Sequence, residues 1–337
     1  MSCGYGAAVV HGALALLAGV VSVEAQQVII GSGQTLTPTD LAAGVFEGQA
    51  FVLGPGTTFV VQSGGELRPG ANPDLLGAAV SVEGGGVLRG GTHFVNVSIV
   101  LGDGSQVLGW GTTLGDGVTL SCEGASTDPY WGASGDAVVN MYAGYLDVFD
   151  GLAHDAVFNL YDGSGFTEAR NIGNSVVNQC GGDGGYLARF EAGTRYRVSG
   201  GDRIDPLRLM PSSTATFYVR EAAINGVPLD LTTGVPTIIT QRFGTFTGTF
   251  VQNGTTFEAD LSENELTATS FTGEIFSADA TIEVVRPLGG DFNLDGAANG
   301  DDVMGFLFVQ SKGVDCTDRN VDGNIDAFDT ATLLNEF

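Results

Sequence analysis

Leu120-Ser121-Cys122, Val139-Asn140-Met141, Phe158-Asn159-Leu160, Val177-Asn178-Gln179, Tyr196-Arg197-Val198 and Ala215-Thr216-Phe217 follow one another at intervals of 19 residues. Their outer columns are largely apolar and their middle column is polar throughout. The two-residue period inside each segment reads as a strand, with alternate side chains facing opposite ways. The longer period reads as stacking, each strand lying on its counterpart one turn away. No turn of this size buries its apolar face alone, so the turns must stabilise one another. The predicted fold is mainly β: a right-handed parallel β-helix, a solenoid of roughly eight to ten turns, with a two-sheet sandwich as the alternative.

Upstream the repeat is looser. Gly56–Gly70 (GTTFVVQSGGELRPG) aligns with Gly77–Gly91 (GAAVSVEGGGVLRGG) at an offset of 21, with seven of fifteen positions identical. Pro38 to Val45 reads as a short helical cap over the open end, with Thr37 as its N-cap. The solenoid is placed at 26–218. After Tyr218 the period stops. Asn225-Gly226 and Asn253-Gly254 each sit between alternating runs, a strong hairpin signal. Hairpins over 219–286 are expected to close the exposed last strand of the stack, an edge that otherwise invites aggregation.

The chain has 337 residues, 53 of them Gly, and a formal net charge of -26. Nucleic acid and anionic membranes need a positive face, so the charge argues against them as partners. Ala13–Val21 is a short apolar core. Val23 and Ala25 fit a small-residue cleavage site, so residues 1–25 read as a secretory signal, although no Lys or Arg precedes the core. No later run has the ~20 apolar residues of a membrane helix. An exported protein, extracellular or at the cell surface, is expected. Beyond the signal lie Cys122, Cys180 and Cys316, too few for a disulfide framework. Cys122 and Cys180 occupy different columns three turns apart, beyond the reach of a disulfide.

The strongest chemical signal is at the other end. Asp291, Asn293, Asp295, Asn299 and Asp302 occupy positions 1, 3, 5, 9 and 12 of a loop with Gly296 at position 6. Asp318, Asn320, Asp322, Asp326 and Asp329 repeat the pattern around Gly323 at an offset of 27. Oxygen donors at that spacing, with Gly for the sharp turn, are what a calcium ion of six to eight ligands requires. Ala297 and Asn324, at position 7, would supply backbone carbonyls. Two calcium sites are expected. Val303, Phe306 and Leu307 match Thr330, Leu333 and Leu334, marking one apolar helix face after each loop.

Two loop–helix units without entering helices, each ending in Asp, resemble a type I dockerin over about Gly289 to Phe337, the module placed at 287–337. The resemblance implies calcium-dependent folding and docking to a cohesin-like module. It also implies that Gly300, Asp301, Ala327 and Phe328, at loop positions 10 and 11, help choose the partner. They are not the hydroxyl pairs often seen there. Residues 138–285 also loosely resemble secreted repeat proteins of planctomycete-type bacteria, which implies no chemistry.

Catalytic signals are thin. Asp136, Asp155 and Asn174 share one column of the repeat, and Asp183 and Asp202 another, with Asp205 nearby; solvated corners of an acidic surface account for them. Arg170, Arg189 and Arg208 share a column and read as stems covering an apolar edge, or else as a stripe for an acidic sugar. Asn140, Asn159 and Asn178 read as an amide ladder. His93 and His154 stand alone. Trp110, Tyr130 and Trp131 are candidates for a sugar platform. No Ser–His–Asp order, phosphate loop or zinc spacing occurs. No catalytic residue is assigned. The reading is a secreted, non-catalytic repeat protein that binds or displays an extracellular ligand, polysaccharide among the candidates, and docks through its tail. The alternative is a polysaccharide-degrading lyase or glycoside hydrolase, since both modules commonly serve such enzymes.

Overall fold

The computed structural model describes residues 26–337 apart from 71–73, 90–92, 109–111, 128–130, 147–148, 166–169, 186–187, 204–206, 242, 262–274 and 322–323. The proposed signal segment, Trp110, Tyr130, Asp205 and Asp322 therefore lie outside the described residues. So does the side chain of Trp131.

The fold is a parallel β-solenoid. Its main ladder starts at Gln26–Ile30 and passes through Thr57–Val61, Ala79–Val82, Ser98–Leu101 and Thr119–Thr127, each strand parallel to the next. It continues through Val138–Leu146, Val157–Leu160, Val176–Gln179, Arg195–Val198 and Thr214–Ile224. The register is the one the columns imply: Val139 pairs with Phe158, Phe158 with Val177, and Val177 with Tyr196. The 21-residue offset upstream is also a true register, with Phe59 on Val80 and Val61 on Val82. Two further four-stranded parallel sheets form other faces, one from His93–Phe94 to Phe149–Leu152, the other from Arg170–Asn171 to Ile275–Phe276.

The inward columns make one continuous core. Leu120, Val139, Phe158, Val177, Tyr196 and Ala215 are all buried in it. At about 25 cal/mol per Å² of apolar area removed from water, this burial is the dominant favourable term of the fold. Gln179 breaks the apolar column, and its amide is engaged through one N–H and the oxygen. It donates to the Asp202 carbonyl at 2.5 Å and accepts the Tyr196 hydroxyl at 2.6 Å, as a buried amide must.

Helix α1 (Pro38–Ala43) caps the start, with Thr37 and Asp40 forming a reciprocal capping box. It ends earlier than the sequence suggests, because Gly44 takes the left-handed conformation at φ 65° and turns the chain into a two-residue strand.

The far end differs from expectation. The hairpins do not terminate the solenoid; they are inserted into it. Strand Thr281–Val285 returns to lie parallel to Thr214–Tyr218 and extends the main ladder by one rung. Between them, Thr245–Phe250 and Thr256–Asp260 form an antiparallel hairpin on the outer half of Thr214–Ile224. Asn225 and Gly226 make the tight turn expected of them, with φ of 50° and 75°. The short strand Thr237–Ile238 pairs antiparallel with the added rung. The 19-residue period fails to reveal this last turn because the insertion separates it from its predecessor by 67 positions (Thr214 to Thr281). Among the described residues, no helix is long and apolar enough to cross a membrane.

Candidate metal centre

The tail holds helix α2 (Gly300–Gln310), a 3-10 turn at Asp315–Thr317 and helix α3 (Ala327–Asn335). Each helix starts where its loop reaches position 9. Asn299 caps α2 and Asp326 caps α3, and each forms a capping box with the Asp three residues on.

The two units carry the same bonds. Asp302 Oδ2 accepts from Asn299 N–H at 2.8 Å and its Oδ1 from Asn293 N–H at 3.0 Å. Asp329 Oδ2 accepts from Asp326 N–H at 2.8 Å and its Oδ1 from Asn320 N–H at 3.2 Å. In both loops the carboxylate at position 12 therefore ties positions 3 and 9 together. Asp291 does the same for the turn of the first loop, accepting from Asp295 and Gly296 N–H at 3.1 and 3.0 Å. Asp295 and Asn299 bend back onto their own loop, accepting from Ala297 and Asp301 N–H.

Burial sets the electrostatics. Asp302 and Asp329 are fully buried and Asp291 is 4% exposed. Burial pushes the Asp291 carboxyl above its ordinary range, and the charges of Asp302 and Asp295 push the same way, against the loop N–H groups. Taking such carboxylates out of water without a cation is costly. Each oxygen retains a second lone pair beyond the bond from the backbone. A hard cation among these oxygens fits both the charge and the donor type. Among the described residues, no three Asp, Glu, His or Cys side chains gather closely enough to hold a metal by themselves. In the first loop the required set includes amides and a backbone carbonyl, from Asn293, Asn299 and Ala297. In the second, Asp322 is outside the described residues; Asp318, Asn320 and Asn324 all have partners.

The loop positions 10 and 11, to which the resemblance assigns partner choice, are all exposed: Gly300 and Asp301 on one unit, Ala327 and Phe328 on the other, with Phe328 70% exposed. The expected apolar helix face needs correction. Phe306 and Leu333 are buried, but Leu307 and Leu334 face outward. Helix α2 instead buries Asp302, Phe306 and Val309. The helix has been rotated by what it packs against, which is the solenoid.

No family model, curated protein or solved structure matches this chain.

The attachment of the tail was not legible in the sequence. Phe292, Phe306, Val309, Val314, Cys316 and Leu333 form a small core with Tyr142 of the solenoid, and Tyr161 and Cys180 pack against it. Cys316 is disulfide-bonded to Cys180 across 136 residues, while Cys122 remains free and buried. The expectation about Cys122 and Cys180 holds; the pairing of Cys180 with the tail was missed. Gly181 makes it sterically possible, since a Cβ there would lie 2.2 Å from the Tyr161 carbonyl and 3.3 Å from Cys316 Cβ. Lys312, the chain's lone lysine, pairs with Glu123 and sits over the Tyr142 and Phe308 rings. Arg319 pairs with Glu336 and donates to the buried Gln252 of the hairpin, which donates in turn to the Phe292 carbonyl at 3.2 Å. Cys122, Cys180, Cys316 and the single lysine were the available signals, but neither residue type specifies a partner.

The other columns stand as stacks. Asn159 donates to Asn140 and Asn178 to Asn159, both at 2.8 Å, so the amide ladder is real. Asn174 donates to Asp155, and Asp136 accepts from Gly117 N–H. Asp183 and Asp202 are neighbours through single bridges. Arg170 and Arg189 share Glu191, which neutralises much of the alternative basic stripe.

Proposed function

We propose that the chain is a secreted, non-catalytic repeat protein that binds or displays an extracellular ligand, and that its tail is a dockerin-like module folded around two calcium ions. The solenoid is the rigid body and the tail is the point of attachment. The single observation that carries the reading is the duplicated loop: in both units the position-12 Asp is fully buried and bonded to the backbone at positions 3 and 9. One such loop is a local accident of capping. Two at an offset of 27, each burying its position-12 carboxylate, have the form of a calcium device.

Docking draws on the outward apolar side chains. Met304, Leu307 and Leu334 are exposed on the two helices, as is Phe328 at position 11. A cohesin-like module is the proposed partner. The test is calorimetric titration of residues 26–337 with calcium, with Asp302→Asn and Asp329→Asn as the variants. Two calcium ions per chain, reduced by one in each variant, support the reading. No uptake at millimolar calcium would end it.

A further inference from the structure

A cavity of about 260 Å³ lies between the solenoid and the tail. One wall is the polar column, with Asn159, Asn178 and Arg197; the other is Phe292, Leu294 and Phe308 of the tail. We propose that this cleft binds a small hydroxylated carboxylate, of the size of one acidic monosaccharide. The proposal deepens the ligand-binding part of the reading above, and two residues of its tail wall, Phe292 and Leu294, belong to the first calcium-type loop.

Arg197 is the first reason. In a chain of net charge -26, cations find carboxylates readily. Arg68 and Arg89 share Glu66, Arg170 and Arg189 share Glu191, and Lys312 and Arg319 each have a Glu. Arg203, Arg220 and Arg286 donate to backbone carbonyls. Arg197 is half-buried in the cleft, and among the described residues no hydrogen bond or ion pair engages its guanidinium; its charge is felt by the Tyr218 phenol. A partly desolvated guanidinium is a ready partner for a planar carboxylate, which it meets with two parallel hydrogen bonds.

The ladder supplies the second reason. Its bonds all run one way, each Asn donating to the Asn before it. The direction leaves Asn178 Oδ1 as the terminal acceptor, one rung from Arg197. It also leaves each donating amide with a second N–H. Guanidinium, amide N–H and amide oxygen thus stand side by side, a set that a carboxylate with neighbouring hydroxyls satisfies completely. A simple carboxylate would use only the guanidinium, and a neutral sugar would leave it unpaired.

Size and rigidity complete the argument. The volume is below the usual range of ~300–1,000 Å³ for drug-sized ligands, which suits a single sugar ring. The rings of Phe292 and Phe308 offer an apolar face to ring C–H groups. The two walls are fixed to each other by the Cys180–Cys316 bond and by Gln252 on the Phe292 carbonyl, so little ordering entropy is lost on binding.

The test is calorimetry on oxidised, calcium-loaded residues 26–337 with glucuronate, glucose, acetate and a uronate oligosaccharide as probes. Glucuronate is expected to bind at least about tenfold more tightly than glucose or acetate, a difference of about 1.4 kcal/mol. Arg197→Met should reduce glucuronate affinity about tenfold or more, with an unchanged melting midpoint. If that variant fails to fold, Asn178→Asp keeps the shape while adding a repelling carboxylate, and should cause a similar loss. An oligosaccharide that binds as well as or better than glucuronate assigns the cleft to a chain end; one that binds worse assigns it to a free acid, and both support the site. Glucuronate binding no better than glucose or acetate, or full affinity in the folded variants, would overturn the proposal.

Discussion

The solenoid rests mainly on its continuous core and parallel ladders, whereas the tail depends on a few specific side-chain contacts. From Val28 to Val284 one continuous core of buried side chains runs through every turn, and each strand finds its hydrogen bonds on the strands before and after. The tail's own core is a handful of residues, and it must borrow Tyr142 from the solenoid. It compensates with a disulfide, two hydrogen-bonded charged residues and buried carboxylates suited to a cation. Repetition makes stability extensive, because each added turn brings its own interface. A module of about 49 residues cannot do this and needs staples or metals.

The comparison is easiest to break inside a rung. Leu160→Asp should destabilise the solenoid most, by roughly 4 kcal/mol or more, from a buried charge without a partner. Urea unfolding followed by far-UV circular dichroism measures it. A cost near that of a surface substitution would remove the inward column from the account of stability.

Next comes the staple. Cys316→Ser opens a loop spanning 136 residues, and chain entropy sets the expected loss at about 3–5 kcal/mol, confined to the tail. Limited proteolysis of the variant should release fragments from beyond residue 289 while leaving the solenoid whole. A solenoid that melts together with the freed tail would show that the two regions are one cooperative unit.

Calcium should sharpen the contrast further. At a hundredfold excess over its dissociation constant, each ion should stabilise the tail by about 2.7 kcal/mol, and the second loop should bind more tightly through its extra Asp326. Hydrogen exchange with and without chelator should change over 289–337 and scarcely at all over the inward columns. Uniform changes along the chain would contradict the division.

A smaller effect is expected at the seam. Burial pushes the Tyr142 phenol up to about 12, with Tyr161 and Glu123 adding to it. An unfolded tyrosine ionises near ~10. The folded value is the higher one, so the contribution is intact below about pH 10 and is lost as pH rises towards 12. Stability should decline over that window, and less steeply in Tyr142→Phe, as read by denaturant midpoints at about pH 9 and 11. Tyr161 and Tyr218, also raised by burial, should account for the remaining slope.

Asn159→Asp should have the smallest effect. The change removes one donor to Asn140 and keeps the acceptor for Asn178. A loss of about 1 kcal/mol is expected in a thermal melt. A loss as large as that of Leu160→Asp would mean that the ladder is buried and that alternation fails.

The sequence by itself determined the solenoid, its register and the position of each calcium-type loop. Those features are local or periodic: stacked columns repeat at 19 residues, and ligand spacing lies within twelve. It also determined the Asn225-Gly226 turn and the Thr37 cap, which need only adjacent residues. Only the tertiary structure decided that the hairpins interrupt the solenoid, that Cys180 meets Cys316, that Arg319 reaches Gln252, and that α2 turns Val309 rather than Leu307 inward. Each joins segments with no shared period, at separations where any of several partners satisfies the same chemistry. A lone cysteine or lysine states what bond it can make, but the packing of whole elements chooses with which residue it is made.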